Sequence, residues 1–258
     1  VSNSGTTNLN GIIDWNSGDW AIYDGENWGK VDNTVDMSAG NVTYNNPSFS
    51  SLESVKDALD YLLYTEPNVT NLSISPSVVE IGRIINDISI NWGVNKEMET
   101  ITLSGPSYSG DNLAPDTSGI INITNAGLQT NSTYTLNVSD GDNNDSNSTT
   151  LHFRNKRHWG VTSKESGYVD SDILGMSNNE LSTNLSKNYR IDGQGMYLIY
   201  AYPANWGEAI FTVGGLETTF IRESINHTNA QGHTEQYYVY RSQNITNGQD
   251  IPVEVSQK

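Results

Sequence analysis

The chain has no cysteine among its 258 residues. It therefore has neither a disulfide framework nor a thiolate zinc site, and its cohesion is left to packing and hydrogen bonds. The same absence names no compartment. Charge is sparse, at 17% of residues, and positive charge is sparser still: 13 Lys and Arg stand against 30 Asp and Glu, for a net charge of −17. The longest basic cluster is the short Arg154–Arg157 run. A surface that tracks a phosphate backbone is not expected, so nucleic acid is not an expected partner. No apolar run approaches the roughly 18 residues of a membrane-crossing helix, so no membrane partner is expected either. The opening VSNSGTTNLN lacks both a charged-then-apolar leader and an initiator Met, which reads as a processed or truncated start.

Asn, Ser, Thr and Gly are abundant, and Tyr (14) and Trp (6) outnumber Phe (4). That profile suits many short strands joined by polar turns, and it predicts an all-β chain. One segment breaks the pattern. In Phe49–Pro67 the apolar positions Leu52, Val55, Leu59 and Leu62 recur at spacings of three and four, with Leu63 widening the stripe. Ser50 and Glu53 have the spacing of a capping box, and Pro67 ends the run. A short amphipathic helix is expected over 49–67, about 21 Å long at roughly 1.5 Å per residue. Its stripe must be buried, either on a sheet of its own chain or against identical helices about a symmetry axis. Leu52, Val55, Leu59, Leu62 and Leu63 are thus the candidate oligomer interface.

Four regions follow from the order of these signals: a small aromatic-rich β module (1–48), the helical joint (49–67), a β-sandwich (68–154) and a second sandwich (155–258). In the first, Asp24-Gly25 between Trp20–Tyr23 and Asn27–Val31 predicts a hairpin. Trp15, Trp20, Tyr23 and Trp28 are expected to form its core, with a sugar-stacking platform as the alternative. In the third, short strands are expected at 78–81, 84–94, 99–103, 119–123, 134–138 and 149–153. Asp140, Asp142, Asn144 and Asp145 in the loop 139–148 have a calcium-loop look. However, no Gly stands at the sixth position and Leu151 takes the place of the bidentate Glu, so a solvated hairpin loop is expected.

In the fourth region, 155–161 reads as a crossing strand and 170–181 as a helical turn or two. Strands follow at 187–192, 196–202, 209–213, 218–221, 235–241 and 251–255. Both faces of 196–202 are apolar, as a central strand requires. The fold class expected is all-β: tandem β-sandwich modules, the last jelly-roll-like, with one short amphipathic helix.

Little of the chain points to reaction chemistry. His152, His158, His227 and His233 have no zinc-pair spacing on a helix, although His227 and His233 could meet across a hairpin; exposed loop positions are expected for them. No Gly-x-Ser-x-Gly elbow or phosphate-cradling glycine loop is present. Asn-x-Ser/Thr triplets at Asn41, Asn68, Asn71, Asn122, Asn131, Asn137, Asn184, Asn226 and Asn244 follow from composition. No catalytic residue, cofactor or metal is assigned.

Two resemblances add to this reading. Leu128 stands six residues before Tyr134 in GLQTNSTYTLNV, which resembles the loop-to-strand corner of fibronectin type III and immunoglobulin-like domains. Trp92 would be the buried tryptophan, so Trp92, Leu128 and Tyr134 are the fold-defining core residues that this resemblance implies. The ordered set GDWAIYDGENWGKVDN, SVKDALDYLLYTEP, VEIGRIINDISINWGVNKEMETITLSG, FRNKRHWGV, GGLETTFI and YYVYRSQNITNGQDIPVEV resembles segments of bacteriophage tail-fibre proteins. That resemblance implies a non-enzymatic virion structural protein, assembled in the host cytoplasm, commonly trimeric, and partnered by other virion proteins. A host-surface glycan or protein is a further implied partner, with Asp140, Asp142, Asn144 and Trp206 as candidate receptor contacts. The alternative is a free carbohydrate-binding adhesin that uses Trp15, Trp28 or Trp206.

Overall fold

The computed structural model describes residues 8, 9, 11–15, 19–31 and 54–258. The chain forms two compact units, Val1–Thr65 and Glu66–Lys258.

In the first unit, β1 (Trp20–Tyr23) and β2 (Trp28–Val31) make an antiparallel hairpin. Asp24 closes it as the dipeptide predicts, its carboxylate accepting from the amides of Glu26 (2.9 Å) and Asn27 (2.8 Å), with Gly25 at φ +105°. The helix α1 spans Val55–Leu63, shorter than expected. Ser54, not Ser50, is its cap: the hydroxyl accepts from the Asp57 amide (3.1 Å) while the Asp57 carboxylate accepts from the Ser54 amide (2.9 Å). Ser50, Leu52 and Glu53 lie outside the described residues. At Tyr64 the backbone turns extended (ψ 131°), so the helix stops before the residue that Pro67 constrains.

The second unit is all β apart from one short helix and a 3₁₀ turn. Its strands are β3 (Val69–Ser75), β4 (Val78–Glu80), β5 (Ile88–Val94), β6 (Thr100–Gly105), β7 (Tyr108–Ser109), β8 (Ser118–Ile123), β9 (Ser132–Ser139) and β10 (Asn144–Thr162). After helix α2 (Asp170–Leu174) come β11 (Asn178–Ser182), β12 (Lys187–Ile191), β13 (Tyr197–Pro203), β14 (Ala209–Val213), β15 (Leu216–Glu217), β16 (Phe220–Thr228), β17 (Thr234–Ser242) and β18 (Ile251–Gln257).

The first sandwich packs the three-stranded sheet β3-β5-β8 on the run β7-β6-β9-β10. This is a β-sandwich, with hydrophobic residues alternating inward from both sheets. Trp92, Leu128 and Tyr134 are all buried in its core, with Ile90, Ile101, Leu103 and Leu136. The corner that the resemblance implies is not formed as expected: the Tyr134 hydroxyl donates to the carbonyl of Pro106 (2.9 Å), 28 residues upstream in the β6–β7 turn, and not to the loop that leads into its own strand. β3 escaped the sequence pattern because its alternation is broken by a bulge between Val69 and Asn71. That irregularity lies opposite Gly93, where a Cβ would come 3.2 Å from the Thr70 hydroxyl. The loop expected over 139–148 is corrected to the four residues Asp140–Asn143. Asn144 to Ser148 are already strand, paired in register with Ser139 to Thr135.

β10 does not end at residue 153, where the first sandwich was expected to close. It runs for 19 residues, about 60 Å at roughly 3.3 Å per residue, and changes partner along its length. It pairs with β9 at Asn144–Leu151, in parallel with β4 at His152–Arg154, with β11 at Asn155–Trp159 and with β13 at His158–Thr162. The second sandwich is built on this continuation. The run β16-β17-β13-β10, with β11 on the far side of β10, faces the sheet β12-β18-β14-β15. Between them lies an aromatic core that includes Tyr200, Tyr202, Phe211 and Tyr240. Two of the buried phenols donate to backbone carbonyls, Tyr200 to Leu185 O (2.7 Å) and Tyr202 to Gly207 O (2.8 Å). Ile199, Ala201, Tyr237 and Val239 pack on the opposite face with Ile173 of α2, which is why β13 is apolar on both sides. Only the first half of the expected helical stretch 170–181 is helical; the second half forms β11.

Candidate functional site

The first unit keeps much apolar surface in contact with solvent. On α1, Leu59, Leu62 and Leu63 are 46%, 75% and 77% exposed. Val55 begins the helix, and Leu52 lies outside the described residues. The expected aromatic core holds only for Trp15, which is buried and donates its indole N–H to Ile12 O (3.1 Å). Trp20, Tyr23 and Trp28 are exposed, with Tyr23 and Trp28 paired across the hairpin at 5.1 Å between centroids. Two short strands have two faces and too little chain to cover both. Lys30 lies close to the buried Asp19 (3.1 Å) and donates to Asp14 O (2.6 Å), which ties the hairpin to the preceding segment.

The four candidate receptor contacts are not brought together as one cluster with a shared lining. Asp140 is a turn-former: one carboxylate oxygen accepts from the amides of Asp142 (3.2 Å) and Asn143 (2.9 Å), and the other is 2.5 Å from the Lys96 ammonium. Asp142 and Asn144 are exposed beside it. Trp206 sits in the 3₁₀ turn Ala204–Trp206, half-buried and stacked on Tyr202 at 6.1 Å, so most of its ring serves the second core. Among the described residues no group of three or more His, Cys, Asp or Glu side chains is placed to hold a metal ion.

The basic run is spent on internal pairing. Lys156 meets Glu80 at 3.0 Å, and Arg157 binds Glu180 and the backbone oxygens of Asn184 and Ser186. The open groove of about 460 Å³ at the edge of the second sandwich is similarly self-paired. Arg222 and Lys258 both engage Glu208, and together they hold that carboxyl below its ordinary range.

Sequence reasoning missed a polar cluster where the two sandwiches meet. His158 on β10 and His227 on β16 are 2% and 1% exposed, contrary to the expected loop positions. Their rings stand edge to face, with centroids 6.0 Å apart. His227 Nδ1 is 3.0 Å from a carboxylate oxygen of Asp170, the same oxygen that accepts from the Thr228 amide (2.9 Å). That contact places the His227 proton on Nδ1 and leaves Nε2 as an acceptor. Neither His227 Nε2 nor His158 Nδ1 has a hydrogen-bond partner. Burial, then the neighbouring His227 and Lys156, lower the His158 pKa to about 4. Burial also lowers that of His227, against the opposing pull of Asp170. The signal that could have found this cluster is the alternation within 155–161, which puts Lys156 and His158 on one face of a strand. His227 does not meet His233 across the hairpin; its register partner is Glu235.

No known protein-family model matches the chain, and a search of curated proteins finds no match.

Proposed function

We propose that the chain is a non-enzymatic structural subunit of a fibre on a bacteriophage particle, self-associating through its first unit. The observation that carries the reading is the exposed leucine stripe of α1, on a capped helix with its own ion pair between Lys56 and Asp60. A nine-residue helix is marginal in isolation and gains its stability from whatever covers its apolar face. Copies of the same helix about a threefold axis would cover it, and the acidic remainder of the chain would keep a dense assembly soluble. The two sandwiches, which share the continuous strand β10, would serve as the spacer, and the Asp140–Asn143 turn and neighbouring surfaces are where a host receptor would be met. Trimeric packing, other virion proteins as neighbours and residence in the particle belong to this proposal.

Sedimentation of the chain at micromolar concentration tests it. A trimer that Leu62→Glu with Leu63→Glu converts to monomer is the expected result, and a wild-type monomer overturns the assembly. A second reading, a carbohydrate-binding adhesin, draws on the exposed Tyr23–Trp28 pair. Glycan-array binding by a monomer that is lost in Trp28→Ala would favour it.

A further inference from the structure

The contact between the two sandwiches is built differently from either core. Asn229, at the tip of the β16–β17 hairpin, donates to Ile81 O just beyond β4 (2.8 Å). Its side-chain oxygen accepts from the amides of Gln231 (2.9 Å) and His233 (3.0 Å), which shapes the tip. Gly82 lies so close that a Cβ there would stand 2.7 Å from His233 Cβ. Glu80 pairs with Lys156, and Asp170 of α2 is bound to His227 and to the Thr228 amide of β16. Beneath lie His158 and His227, each with a buried ring nitrogen that nothing bonds.

We infer that this seam is an acid-released joint: it stays locked while His158 and His227 are neutral and opens into a hinge on β10 when they take up protons. An unprotonated ring nitrogen tolerates burial with no donor facing it. A protonated one there places a charge and a further N–H in a buried site, which is far more costly. The charged and titratable groups facing the pair come from each element packed on it: Glu80 from β4, Lys156 from β10, Asp170 from α2, and Glu235 and Tyr237 from β17. Asp170 and Glu80 favour a proton on His227. That proton and the Lys156 ammonium then oppose a second on His158. The two protonations therefore compete while the seam is closed and cease to compete once it opens, which sharpens the response. β10 is continuous through the junction, so release frees the hairpin tip from Ile81 without separating the sandwiches. The inference stands apart from the fibre reading.

Because the chain has no cysteine, Arg83→Cys and Ala230→Cys give a clean pair of spin-label sites on exposed positions either side of the seam. Pulsed dipolar distances are measured on the full chain at pH 7 and pH 4.5. The expected result is one short distance at pH 7 that broadens to longer values at pH 4.5 and returns on neutralisation. In the same labelled chain with His158→Gln and His227→Gln, the short distance persists at pH 4.5. A wild-type distance unchanged at pH 4.5, or opening at the same pH in the Gln variant, overturns the inference. Should the Gln variant not fold, imidazole proton resonances of the unlabelled wild type decide. Both histidines titrating below 6.5 together with the loss of seam contacts supports it, and either one titrating at its ordinary value with the seam intact overturns it.

Discussion

Gly105 and Tyr134 offer the sharpest test of how the first sandwich is held together. The Tyr134 ring is fully buried and lies directly against Gly105, where an added Cβ would be 2.3 Å from Cδ1 and 2.9 Å from Cγ. Ordinary carbon contacts fall at about 3.5–4 Å, so the overlap exceeds 1 Å. The ring cannot swing clear without breaking the hydroxyl bond to Pro106 O and leaving its place among Leu103, Leu136 and their neighbours. Gly105→Ala is therefore expected to cost about 3 kcal/mol, the upper end of typical overpacking penalties. Tyr134→Leu removes both ring and hydroxyl and is expected to cost about 3 kcal/mol by itself. In the double variant the obstacle is gone, so the alanine should add almost nothing and the coupling should approach 2–3 kcal/mol, far outside the roughly 0.5 kcal/mol scatter of independent sites. Urea unfolding followed by tryptophan fluorescence, which Trp92 in the same core reports, measures each cost. At an m value of about 3 kcal/mol/M, Gly105→Ala should lower the midpoint by about 1 M. Additive single costs, or a Gly105→Ala midpoint within error of wild type, would refute the claim that the ring is wedged on this glycine.

The remaining predictions concern the seam and the hairpin turn. His158 has a folded pKa of about 4 against an ordinary 6.5, so the unfolded chain binds more protons between those values and stability falls as pH drops from 6.5 toward 4. The loss from this residue should be about 3 kcal/mol, and His158→Gln should flatten the urea midpoint against pH over that window. Lys156→Met strands the buried Glu80 carboxylate and should cost about 3 kcal/mol, while Lys156→Met combined with Glu80→Leu should recover most of it in thermal unfolding. Asp140→Ala removes the acceptor for two turn amides and the partner of Lys96. It should cost about 1–2 kcal/mol in chemical denaturation, with the β9–β10 register retained in amide exchange.

Strand existence was legible along most of the second unit because period-two alternation records one buried face. Ile88, Ile90, Trp92 and Val94 are buried on β5 as that alternation requires. The hairpin at Asp24-Gly25 was equally local. β3 was not legible because a bulge breaks its period. Most of β16 was not either, since its side chains are mostly exposed or half-buried and so record no buried face.

What the sequence determined by itself is what nearest neighbours along the chain dictate: all-β character, the Asp24-Gly25 turn, an amphipathic helix and a cohesion that does without cysteine. Only the tertiary structure decided that one strand passes through both sandwiches, that the basic run is neutralised by carboxylates from β4 and β11, and that two histidines 69 residues apart are buried side by side. The physical reason is that a strand's partner at each step is set by long-range pairing. Burial of a polar side chain depends on what that pairing stacks above it: alternation puts Lys156 and His158 on one face of a strand but does not say what covers that face.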